Sequence, residues 1–473
     1  MSQATASIQP PPFENQAIPA HRPRVLISAY ACHPESSMES RLAWRRAVLA
    51  ADRHDVTVIC GPAFSADELA RFADEQGLAD RLRFYSIGHD RCGGLLVGTR
   101  CLYYAGYSRW QRRVLALAKR LHAETPFDLV HQVNYCGYRE PGVAWRLGVP
   151  YVWGPVGGTQ SFPVRFVRYA GILGGARELL RNALNFYQLR YSRRVGRAAK
   201  AASTIISATS RCQQDLLRAR GLRTERELET GLDCPIGPPR AARDSTQTFR
   251  VLAAGRLEPW KGLPLLIQAV AALPTRVPIR VRVLGDGSQR DAWKRLAERK
   301  LVADRFEFVP WPSYRDTLTH YRWADALAFT SLRDTSGTGL LESLASGAPI
   351  IGLDHQGAAD VMTDKCAIRV PVDSPRRVVD AFADAITRLS DDPALWLRLS
   401  RGAQQRAGDF DWGSRVERTN ELYARVIREG AAATQTATSS SARGVSAPLG
   451  GMARSGARVN GSSSLPQRYG QTL

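Results

Sequence analysis

The chain has 473 residues, too many for one ordinary hydrophobic core, so two domains are expected. Its 65 Lys and Arg against 44 Asp and Glu leave a formal charge of +21, which calls for an anionic partner or neighbour: nucleic acid, an anionic membrane or a phosphorylated substrate. No apolar run is long enough to span a bilayer, and the opening MSQATASIQPPPFENQ lacks a basic-then-apolar signal pattern. The eight cysteines are scattered with no C-x-x-C pair, which writes neither a zinc site nor a disulfide framework; a cytoplasmic location is expected.

Residues 1–22, with three consecutive prolines, are expected to form a disordered lead. Short apolar runs at Val25–Ala29, Val56–Ile59, Leu82–Tyr85, Leu129–His131, Tyr151–Trp153 and Thr204–Ala208 then alternate with helical patterns. That is the signature of a parallel sheet covered by helices on both faces. After the stiff joint Gly237-Pro238-Pro239 the alternation restarts, with strands expected at Val251–Ala254, Arg280–Leu284, Phe306–Val309, Ala326–Phe329, Ile350–Gly352 and Ala367–Val370. The fold class is therefore α/β, with two doubly wound, Rossmann-like domains, 23–240 and 249–405, facing across a cleft. Within 406–430 the segment Trp412–Arg428 carries Val416, Tyr423, Val426 and Ile427 at helical spacing. Residues 431–473, rich in Ser, Ala, Thr and Gly, are expected to be a disordered tail. Ligands of such sheets sit outside the carboxyl ends of the strands, so the site is expected in the cleft.

Two stretches of the second half carry chemistry. Ser331–Pro349, SLRDTSGTGLLESLASGAP, reads as a strand end, a turn-rich loop and a helix stopped by Gly347 and Pro349. The unpaired N–H groups of that helix start, at Ser336, Gly337, Thr338 and Gly339, suit phosphate at close approach. Asp334 and Glu342 frame the loop with carboxylates, which accept hydrogen bonds from sugar or ribose hydroxyls. In Val251–Gly262, VLAAGRLEPWKG, Arg256 and Lys261 set two cations at the carboxyl end of a strand, where diphosphate is the natural counter-ion. Gly285-Asp286-Gly287 marks another strand-ending turn.

The spacing Asp334-x7-Glu342 resembles the E-x7-E signature of retaining family 4 glycosyltransferases of the GT-B fold, with aspartate in the first position. Gly255–Gly262 resembles their G-R-x-x-x-x-K-G donor-phosphate motif, and the REPG and WGPVGG stretches resemble a bacterial surface-polysaccharide subgroup. The resemblance spans Arg24–Arg428. It implies transfer of a hexose from a nucleotide-diphosphate sugar, with retention, to a lipid-linked glycan acceptor in exopolysaccharide, lipopolysaccharide or other cell-envelope glycan synthesis. It implies donor binding by Arg256, Lys261, Gly337, Thr338, Gly339, Glu342 and Gly285, with catalytic parts for Asp334 and His131. The first domain becomes the acceptor side, the second binds the nucleotide sugar, and the last helix crosses back to the first; no cofactor and no metal are expected. His131 ends a strand expected to face the cleft, where relatives show H-x-H and this chain has Val133 in the second place. His33, Glu39, Asn134 and Glu140 are further polar residues on loops bordering the same cleft.

Arg100–His122 and Val164–Lys200 mix Arg and Lys with Tyr, Trp, Phe and Leu, and the second holds nine basic residues against one acid, Glu178. Basic amphipathic helices with interfacial aromatics suit peripheral adsorption to an anionic leaflet, here the inner face of the cytoplasmic membrane; a charged solvent face is the alternative. Two other readings stay open: a GT-B nucleotide-sugar epimerase, which needs no acceptor, and a non-enzymatic basic protein binding nucleic acid or membrane. The basic residues match no helix-turn-helix, zinc-finger or RNA-recognition pattern, so nucleic acid is not an expected partner.

Overall fold

The structure, a computed structural model, describes residues 22–98, 102–133 and 137–443. Asn134, nearly all of the lead expected at 1–22 and the part of the tail from 444 onward lie outside the described residues.

Seven strands make the first sheet: β1 (Arg24–Ser28), β2 (Asp55–Cys60), β3 (Leu82–Ser86), β4 (Leu129–Gln132), β5 (Tyr151–Val156), β6 (Thr204–Ser207) and β7 (Glu225–Arg226). Six make the second: β8 (Phe249–Ala254), β9 (Ile279–Leu284), β10 (Phe306–Val309), β11 (Ala326–Phe329), β12 (Ile350–Leu353) and β13 (Ala367–Val370). All twelve expected strands are present. The thirteenth, β7, is two charged residues on the sheet edge, too short and too polar to leave an apolar pattern. Every pairing is parallel, and β5, β11 and β12 are buried along their whole length because helices cover both faces.

The sheet orders are β3-β2-β1-β4-β5-β6-β7 and β10-β9-β8-β11-β12-β13. Winding reverses between β1 and β4 in the first sheet and between β8 and β11 in the second. A crevice opens at each reversal, because the connections on its two sides leave in opposite directions. The loops after β8 and β11 carry the two motifs, so sheet topology alone sets Arg256 and Lys261 beside Asp334 and Glu342.

Packing does not respect the sequence halves. Leu422, Tyr423 and Val426, on the helix Val416–Arg443, are buried against Val25, Ile27 and Val56 of the first sheet. Phe162, Phe166 and Ala170 lie early in the chain yet are buried in the second lobe's core with Leu257, Leu263 and Val283. The joint is also fastened: Arg240 donates to the carbonyls of Ser346 at 2.7 Å, Ala324 at 2.6 Å and Tyr321 at 3.0 Å. The last helix runs to Arg443, past the expected start of a structureless tail at Ala431. Three consecutive alanines begin that extension, and alanine has the highest intrinsic helix propensity.

Candidate functional site

Between the lobes lies a cleft of about 1430 Å³. From the second lobe Arg256, Lys261, Asp334, Gly337, Thr338, Gly339 and Glu342 line it; Ser37, Met38, Glu39, Tyr104 and Gly157 line it from the first. Thus all but one of the expected donor residues share one wall, and Arg256 is solvent-exposed within it.

Two helix starts border this space. The helix Thr338–Ala345 begins at Gly337, whose φ of 61° is left-handed and whose side, if a Cβ were added, would press on Leu340 and Phe329 at 3.1 Å. No side chain caps this helix. The helix Met38–Ala50 is capped by Ser37, whose side chain accepts from the Ser40 amide. The two starts meet where the Thr338 hydroxyl donates to Met38 Sδ at 3.2 Å. Helix N-termini carry partial positive charge, so both favour an anion in the cleft.

Lys261 Nζ donates to Asp334 Oδ2 at 2.5 Å. Burial pushes the Asp334 carboxyl up, but the Lys261 ammonium and hydrogen bonds from the Ser331 hydroxyl and the Thr335 amide outweigh it and hold the carboxyl below its ordinary value. Asp334 is therefore ionised and serves as the counter-ion of Lys261. The start of the helix Gln356–Val361 braces it: Gln356 Oε1 accepts from the Asp334 amide at 2.8 Å. A Cβ on Gly357 would sit 1.5 Å from the Thr335 carbonyl, so only glycine allows that approach.

The Glycosyl transferases group 1 family model matches residues 240–406. A D-inositol 3-phosphate glycosyltransferase of Kineococcus radiotolerans is 30% identical over 371 residues, covering 71% of this chain and 78% of that protein. The chain belongs to the group 1 glycosyltransferases. Other curated relatives, among them a D-inositol 3-phosphate glycosyltransferase of Corynebacterium glutamicum and a glycogen synthase of Mycobacterium tuberculosis, are matched over 42% and 47% of their own length. Anabaena HepE in complex with UDP and glucose has a TM-score of 0.53 at 17% identity, covering 86% of this chain and 100% of that one. WaaG, a glycosyltransferase involved in lipopolysaccharide biosynthesis, has a TM-score of 0.53 at 18% identity, covering 84% and 99%. The fold of this glycosyltransferase is thus GT-B.

Several expectations need correction. His131 does not face the cleft: it is 1% exposed, its Nδ1 lies 2.5 Å from the Tyr423 hydroxyl, and its Nε2 lies 2.8 Å from the Gly154 carbonyl. Burial lowers its pKa to about 4, so the imidazole stays neutral with both nitrogens engaged; it joins β4 to the last helix and takes no proton from a substrate. Gly285 does not line the cleft either. With φ of 136° it packs against the Gly255 carbonyl, which an added Cβ would approach to 2.1 Å, and leaves the lining to Asp286 and Trp311. His33 stacks on Phe64 and reaches Glu68 at 3.4 Å, away from the cleft, while Glu140 pairs with Arg194.

Other site groups left no local signal. Arg333 lines the cleft and crosses the lobes, donating in a fork to Glu178 with both contacts at 3.0 Å. Glu229, on the stretch between β7 and β8, also lines the cleft and accepts from the Ser336 hydroxyl at 2.7 Å. Burial raises the Glu229 pKa to about 7; neighbouring Asp334 and Glu39 add to the rise, while Ser336 and Arg46 oppose it. Its sequence context, Glu229-Thr230-Gly231, matches no catalytic pattern.

The Glu229 shift makes a stability prediction. Its folded pKa of about 7 lies above the ordinary 4.5, so below 4.5 both states are protonated and nothing is lost, whereas between 4.5 and 7 the folded state is progressively penalised. Glu229→Gln keeps the uncharged form. Its stability relative to wild type should rise by about 2 kcal/mol between pH 5 and pH 8, allowing for partial exposure. Paired urea melts at the two pH values measure this, and an unchanged difference would refute the assignment.

Proposed function

We propose that this glycosyltransferase moves a hexose from a nucleotide-diphosphate sugar to a lipid-linked glycan acceptor, with retention at the anomeric carbon, in cell-envelope glycan synthesis. The observation that carries the reading is the convergence of Arg256, Lys261 and the start of the helix Thr338–Ala345 on one cleft that also presents Glu342. UDP and glucose bound in Anabaena HepE, and the involvement of WaaG in lipopolysaccharide biosynthesis, support the donor class and the pathway.

In this reading the donor's diphosphate lies against Arg256, Lys261 and the helix start. These groups stabilise the charge that builds on the leaving oxygen as the glycosidic bond breaks, an effect worth several kcal/mol in a water-poor cleft. Glu342 accepts from the ribose hydroxyls and Asp334 from the sugar. Because Asp334 already holds Lys261, an entering phosphate shares that ammonium rather than meeting it bare. The positive charge comes from side chains, so divalent metal is not required. The acceptor hydroxyl comes from the first lobe, whose Glu39 and Tyr104 face the donor wall.

Membrane association has its own support. The helix Gly171–Tyr191 buries Gly175, Glu178, Asn185 and Leu189 while turning Ile172, at 93% exposure, and Leu173, at 87%, outward with Leu180, Phe186, Tyr187 and Tyr191. A helix on a water-soluble surface shows the opposite polarity. Exposed Arg168, Arg177, Arg190, Arg193 and Arg197 lie in the same segment, a charge complementary to an anionic leaflet. No helix among the described residues is long and apolar enough to cross a membrane. The reading therefore places the protein peripherally, on the inner face of the cytoplasmic membrane.

Two outcomes are expected. Incubated with UDP-, GDP- and ADP-hexoses, the protein should release hexose from one of them, slowly and undiminished by EDTA; proton NMR at early times should show the donor's own anomer. Release of the opposite anomer would contradict retention, and no turnover of any donor with any extract-derived acceptor would contradict the enzyme reading. Separately, Ile172→Glu with Leu173→Glu should cut sedimentation with phosphatidylglycerol vesicles about tenfold or more at low salt without lowering Tm. Equal sedimentation of variant and wild type would remove the membrane role.

A further inference from the structure

A second cavity lies beside the cleft on the first lobe. It measures about 490 Å³, shares Tyr104 with the main cleft and is lined by three guanidiniums, Arg109, Arg112 and Arg194, against one carboxylate, Glu140. Arg109 is oriented by Asp90 at 2.6 Å and Arg194 by Glu140. Arg112 is exposed and makes no hydrogen bond or ion pair among the described residues. Guanidinium groups gathered around a concavity suit an oxyanion with several acceptor oxygens, because each fork takes two of them.

The surroundings say which oxyanion. The pocket meets the cleft at Tyr104, and the cleft is also lined by Asp334 and Glu342. Arg194 follows Tyr191 by three residues, and Tyr191 ends the outward apolar stripe of Leu184, Tyr187 and Tyr191. The arginine pocket thus adjoins both the sugar-binding cleft, through Tyr104, and the end of the apolar stripe, through Arg194. In an amphiphile made of glycan, diphosphate and hydrocarbon, the diphosphate likewise adjoins both other parts.

We propose that the pocket formed by Arg109, Arg112 and Arg194 binds the diphosphate of the acceptor, with its glycan in the cleft and its hydrocarbon along Leu184, Tyr187 and Tyr191. This rests on the acceptor reading above and adds a place for the phosphate. It separates the two anions of the reaction: donor diphosphate on the second lobe, acceptor diphosphate on the first.

The test is calorimetric titration of geranyl diphosphate and of inorganic pyrophosphate into the full chain, with the donor end first saturated by the nucleoside diphosphate that binds best. Wild type should bind geranyl diphosphate about tenfold or more tightly than pyrophosphate, because only the former reaches the apolar stripe. Arg112→Glu should weaken geranyl diphosphate about tenfold or more and leave the nucleoside diphosphate affinity unchanged. Arg112 is the position to change because it is exposed, whereas removing Arg194 would strand buried Glu140. Equal affinity of Arg112→Glu and wild type for geranyl diphosphate overturns the pocket. Equal affinity of wild type for the two probes overturns the lipid assignment in favour of a free-phosphate site. Should no nucleoside diphosphate bind, the donor reading alone fails, and the same comparison on the unliganded protein still decides the pocket.

Discussion

The ion pair between Lys261 and Asp334 is the contact on which the site depends. It joins the loop after β8 to the loop after β11, the two strands flanking the reversal of the second sheet, at 2.5 Å. Around it the backbone is cross-tied: the Thr330 hydroxyl donates to the Lys261 carbonyl at 2.8 Å, and the Leu332 amide to the Trp260 carbonyl at 2.7 Å. A half-buried ammonium and carboxylate tolerate each other's desolvation only in such a fixed geometry. The pair therefore keeps a cation ready in the cleft without leaving it bare in the unliganded protein.

Charge also shapes how the lobes meet. Glu178 and Arg333 pair across the cleft in a fork, and Arg333 in turn lies 4.8 Å over the Trp260 ring. Phe162 and Phe166 sit in the second lobe's core. The helix that turns its apolar side outward is thus attached, through its inward face, to the segment that carries Lys261. The surface proposed to touch the membrane and the surface proposed to hold the donor are parts of one packed assembly.

What was legible in the sequence is what depends on local pattern. Apolar runs such as Val56–Ile59 and Ala326–Phe329 revealed strands, and glycine next to charge in Gly255–Gly262 and Asp334–Gly339 revealed ligand loops, because parallel sheets put both at strand ends. What stayed hidden depends on distant partners. His131 looked like a cleft residue, but its fate is set by Tyr423, 292 positions away. Arg333 is engaged by Glu178 across 155 positions, and Glu229 by Ser336 across 107. Pairings of that kind leave no periodicity in the chain. The Val164–Lys200 segment falls between: its charge was plain, but which side of the helix faces out required the fold.

The central claim is that this cleft holds a nucleoside diphosphate by cations from the loop after β8 and a carboxylate from the helix Thr338–Ala345. Isothermal titration of UDP, GDP and ADP into wild type, Lys261→Ala and Glu342→Ala measures it directly. The account predicts that wild type binds one of them, and that each variant loses about tenfold to a hundredfold in affinity for it while keeping its fold by circular dichroism. Wild-type affinity in both variants would contradict it.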